Sequence, residues 1–86
     1  MNLTGRIEST NAAEWYDKIR AEIPESGDME LDCSDLVYIS SAGIRIIINI
    51  YKIVRKNGYT LILRNIRPPV MEVLELTGVS DFITIM

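Results

Sequence analysis

The chain has 86 residues, 48% of them hydrophobic and 24% charged, with a formal net charge of −3. That length suits one domain, residues 1–86, with a single modest core, and Arg45, Asn49, Lys52 and Arg55 interrupt the richest apolar segment too often for a membrane span. Histidine is absent and Cys33 is the only cysteine, which excludes an intramolecular disulfide, thiolate-rich or histidine-based metal centres, Ser-His or Cys-His nucleophile activation and histidine phosphotransfer.

No basic region followed by an apolar stretch opens the chain, so a cytoplasmic location is expected. The charge is unevenly spread: residues 1–41 hold nine acids and three bases, residues 42–86 three acids and six bases. Those six, Arg45, Lys52, Arg55, Lys56, Arg64 and Arg67, are scattered over predicted helix and strand, and the two tyrosines among them, Tyr51 and Tyr59, are too few and too far apart to make a stacking platform. They read as solvated surface, and neither nucleic acid nor a membrane is expected as a partner.

In chain order, Leu3, Gly5 and Ile7 alternate with polar residues and predict a first strand over residues 2–8. Asn11 and Glu14 have capping-box spacing, and Ala12, Trp15, Tyr16, Ile19 and Ile23 fall on one helical face, so a helix is expected from about 12 to 22, closed by Pro24 and Gly27. Met29, Leu31 and Cys33 alternate as a second strand over 29–33, which makes Cys33 a buried structural thiol. A short turn around Ser34 and Asp35 is expected to lead into Val37-Tyr38-Ile39.

The next stretch, "SSAGIRIIINIYKIVRK" at 40–56, holds six isoleucines after its glycine and on β-propensity alone should be a strand. Spacing argues otherwise. Ile44, Ile47, Ile48, Tyr51 and Val54 or Arg55 follow a helical period, whereas strand alternation would set Arg45 beside Ile47 and Asn49. Arg55 and Lys56 then complement the last turn and Asn57-Gly58 supplies a left-handed stop, so residues 41–56 are predicted helical, held by burial rather than by propensity. Tyr59, Leu61 and Leu63 alternate with Thr60, Ile62 and Arg64 in a further strand. Pro68-Pro69 starts a helix with Val70, Val73, Leu74 and Thr77 on its face, Gly78 ends it, and Phe82 to Ile85 form a short last strand. The resulting order, β-α-β-α-β-α-β with tight connections, predicts a small α/β domain whose four-stranded, mainly parallel sheet carries three helices through right-handed crossovers.

Chemistry concentrates around Ser40 and Ser41. A serine ahead of a helix commonly caps it, but two serines where one cap suffices leave a spare hydroxyl at a loop-to-helix junction. Gly43 permits close backbone approach, either by a docking partner or by a neighbouring strand, and Arg45 is either a partner contact or a solvated charge. Asp32 and Asp35 could supply a receiver-type phosphoacceptor, bind a cation between them or cap a turn, of which turn caps are the commonest. "SSAG" is not a G-x-S-x-G nucleophile elbow, and no Gly-rich phosphate loop with a lysine is present. No catalytic residue, cofactor or metal is expected.

Four stretches together, "LTGRIE" at 3–8, "LDCSDLVYISSAGIR" at 31–45, "GYTLILRNI" at 58–66 and "VLELTGVSDFI" at 73–83, resemble the STAS domain family and within it the bacterial anti-sigma factor antagonists. The resemblance implies a partner-switching module that binds an anti-sigma factor serine kinase when unphosphorylated and is released when that kinase phosphorylates a serine at the start of the second helix. A metal-dependent serine phosphatase reverses the step. Matched to "SSAG", the phosphoacceptor is Ser41, Ser40 stands where many members carry aspartate and Ala42 where many carry a second serine, and the partner-binding set is Ser40, Ser41, Ala42, Gly43 and Arg45. The same family also supplies subunits of lipid-transport complexes and sensory modules, which is the alternative role. Members usually have a further strand ahead of "LTGRIE", where only two residues stand here, so a sheet edge open to a second copy is expected.

Overall fold

Leu61, Ile62 and Leu63 are all buried in an inner strand, Leu61 and Leu63 within the main core cluster and Ile62 outside it. The computed structural model describes all 86 residues as β1 (Asn2–Ile7), α1 (Ala12–Ala21), β2 (Met29–Ile39), α2 (Ser41–Lys56), β3 (Leu61–Arg64), α3 (Pro68–Leu76), a 3-10 turn at Val79–Asp81 and β4 (Thr84–Ile85). The sheet order is β1-β2-β3-β4 and every pairing is parallel. With strand order equal to chain order, right-handed crossovers place the three helices over one face. Ile19, Ile47, Ile50, Val54, Val70 and Leu74 accordingly join Leu3, Ile7, Leu31, Leu36, Leu61 and Leu63 in one buried cluster. The alternate strand residues lie outside it, including Glu30 and Arg64, whose ion pair is 2.7 Å long.

The α2 segment is helical over residues 41–56, as its spacing predicts. Magnitudes explain why poor helix formers suffice: an isoleucine costs at most about 0.7 kcal/mol in propensity, while burying its side chain contributes roughly 1.5–3 kcal/mol. Gly58, at φ +91°, provides the left-handed stop after Asn57. The buried face differs from the expected one. It runs through Gly43, Ile44, Ile46, Ile47, Ile50 and Val54, with Ile48 and Tyr51 only partly covered, a rotation of roughly a quarter turn. A helix apolar on both flanks does not announce which flank faces the sheet.

Other local expectations are corrected. No turn interrupts residues 29–39: β2 is continuous and carries two register shifts against β1, where Asn2 and Thr4 pair with Asp32 and Asp35, and Gly5 and Arg6 with Leu36 and Tyr38. Each shift inserts one residue into β2, so its buried side chains step from Cys33 to Leu36 to Ile39 while the same face stays inward. Asn11 does not close a capping box, because its side chain turns back to accept the Glu8 N–H and donate to the Arg6 carbonyl, both at 2.8 Å. Phe82 lies in the link after the 3-10 turn, half-exposed against Tyr51, and only Thr84–Ile85 pair with β3.

Candidate functional site

β2 ends at Ile39 and α2 begins two residues later, so Ser40 is the whole connection. Its backbone is extended (φ −91°, ψ 176°), its N–H donates to the Ile7 carbonyl of β1 at 2.9 Å, and its own carbonyl accepts the first helical bond from Ile44 at 2.8 Å. The Ser40 Oγ accepts the Gly43 N–H at 3.3 Å, the geometry of an N-cap. Between the two serines, capping falls to Ser40. Ser41 is the first residue of the helix and is exposed.

The remaining residues of the predicted set divide. Gly43 is buried against Ile7 and Ile39 with no space for a Cβ, so of its two readings the close strand–helix approach is the one observed. Ala42 is half-buried at the margin of the core, whereas Arg45 is exposed one turn beyond Ser41. Sequence spacing alone did not find the surface next to them. The register that pairs Arg6 with Tyr38 lays the Arg6 guanidinium over the Tyr38 ring at 4.3 Å, with Glu8 holding the other side of Arg6 at 3.2 Å. Val37 and Tyr38 are among the exposed large apolar residues, and the signal for this patch was the broken alternation after Cys33.

A family model described as STAS domain matches residues 1–86. The chain belongs to the STAS domain family. Relatives of this STAS domain include the anti-sigma-B factor antagonist of Bacillus subtilis strain 168, 26% identical over 85 residues that span 99% of this chain and 78% of that protein. A Bordetella bronchiseptica protein provisionally named anti-sigma factor antagonist BtrV is 35% identical over 78 residues, 88% of this chain and 66% of that protein. A crystal structure of a provisionally assigned anti-sigma factor antagonist from Thermotoga maritima matches with a TM-score of 0.85 at 23% identity, covering 98% of this chain and 75% of that one, a likeness of fold.

Within this STAS domain the acidic and thiol candidates have structural places. The Asp32 carboxylate accepts the Ser34 N–H at 2.9 Å and the Asn65 side-chain amide at 3.4 Å, and the Ser34 bonds chiefly hold it below the usual carboxylate range. That is the turn-capping role, transferred to a bulge. Cys33 lies in the core, where burial pushes its thiol up to about 12. No helix of the domain is long and apolar enough to cross a membrane.

Proposed function

We propose that this STAS domain is an anti-sigma factor antagonist that works by partner switching. Unphosphorylated, it binds an anti-sigma factor that is also a serine kinase. The kinase passes the γ-phosphoryl group of ATP to the Ser41 Oγ, leaving ADP and releasing the hydroxyl proton, and the complex separates. A metal-dependent serine phosphatase restores the binding form by hydrolysing the phosphoserine. The domain itself supplies no catalysis in this scheme.

The observation that carries the reading is the division of labour between the serines: Ser40 caps α2, and Ser41 stands exposed at the first helical position with its hydroxyl uncommitted. Two named antagonists among the relatives support it. Ser40, Ser41, Ala42 and Arg45 form the proposed docking end of α2, with Gly43 beneath them setting the helix close to β1 and β2. Incubating the protein with its kinase and radiolabelled ATP tests the assignment. Label should enter the wild type and not Ser41→Ala, and label retained in Ser41→Ala would place the site elsewhere.

A further inference from the structure

Helix α2 contains four cations, Arg45, Lys52, Arg55 and Lys56, and no acid. Three of the four lie in its second half, and Arg55 and Lys56 in its last turn, where the negative end of the helix dipole favours them. Arg45 is the exception, the fifth residue of the helix and nearer the positive end. The ion pairs of the structure are Arg6–Glu8 and Glu30–Arg64, and Arg45 belongs to neither. Nor does any side-chain acid of its own helix stand one turn away to receive it.

One position on the helix is spaced to reach Arg45. Ser41 precedes it by four residues, the spacing at which helical side chains are neighbours. Both are exposed. Side chains on a helix lean toward its N-terminus, so the guanidinium of Arg45 extends over the turn that bears Ser41. The order is also the favourable one, with the negative partner N-terminal to the positive. The small side chain of Ala42 leaves that turn uncrowded.

We propose that Arg45 is the intramolecular counter-ion of a phosphate on Ser41, so that modification draws its guanidinium onto the domain's own helix and away from the partner. Release then has two parts, a charge added at Ser41 and a cation withdrawn at Arg45. The inference rests on Ser41 being the modified residue, but not on which enzyme modifies it.

Phosphoserine installed at position 41 during translation, by suppression of a stop codon, gives the modified protein with no kinase involved. The second ionisation of the phosphate is then followed by phosphorus NMR across pH 4.5 to 8 in three proteins, carrying Arg45, Arg45→Lys or Arg45→Gln. The pair predicts that Arg45→Gln raises the phosphate pKa by about 0.3 unit at low salt, that Arg45→Lys recovers part of the shift, and that 1 M salt removes the difference. Arg45 is exposed, so none of these variants should fail to fold, and superimposable far-ultraviolet spectra verify this. Identical titrations in all three proteins overturn the proposal. A kinase that ignores Ser41 overturns the proposed function while leaving these titrations as they are, so the two failures are distinct.

Discussion

Gly43 and Ile39 stand so close that a Cβ on the glycine would lie 2.5 Å from Cγ1 of the isoleucine. Ile7 closes the other side, with its Cγ2 at 2.9 Å and its carbonyl oxygen at 3.1 Å from the same point. Gly43→Ala gains up to about 1 kcal/mol in helix propensity but overpacks a buried contact at a cost of roughly 1–3 kcal/mol. The second effect wins, and the urea midpoint should fall. A midpoint that rises would show that α2 can move off the sheet at little cost.

The two serines should separate by stability. Ser40→Ala removes the acceptor of the Gly43 N–H and should cost about 1 kcal/mol. Ser41→Ala touches no hydrogen bond of the cap and should stay within about 0.5 kcal/mol of wild type. Equilibrium denaturation of both variants checks the assignment, which fails if the larger loss belongs to Ser41.

Phosphorylation at Ser41 should change binding and leave the fold intact. The phosphate adds about −1.5 to −2 charges at pH 7, and a helix N-terminus favours a negative group by roughly 0.3–1 kcal/mol. In a docked interface the same charge must be desolvated or set against like charge, at a cost on the order of several kcal/mol. With about 1.4 kcal/mol for each factor of ten, partner affinity should fall a hundredfold or more. Calorimetry should find the thermal midpoint unchanged or slightly raised. A large drop would mean that modification acts by unfolding α2.

Cys33 predicts both a reactivity and a pH limit. Its thiol is buried and pushed up to about 12, so a thiol reagent at pH 8 should label the unfolded chain quickly and the folded one only at the rate of opening. The linkage has a definite sign. A folded pKa above the ordinary value of 9.0 means the unfolded state releases its proton first as pH rises, so this contribution to stability is full below about pH 9 and is lost progressively toward pH 12. Urea midpoints of wild type and Cys33→Ala measured from pH 8 to 11 should therefore converge as the pH rises. Parallel curves would place Cys33 outside the core.

Much of the α/β order was written in local signals. The spacing of Ile44, Ile47, Tyr51 and Val54 distinguished helix from strand over residues 41–56, and Asn57-Gly58 and Pro68-Pro69 marked its neighbours, because periodicity and backbone restriction act within a few residues. What depended on distant partners was decided only in three dimensions. The apparent turn at Ser34 and Asp35 is the first of two bulges, since an extra residue in β2 is defined against β1 and alternation within one strand does not distinguish a bulge from a break. The same holds for the face that α2 buries, chosen where Gly43 meets Ile7 and Ile39. It holds equally for Ser40, which caps the helix because its N–H is anchored to the Ile7 carbonyl, the contact that leaves Ser41 facing outward.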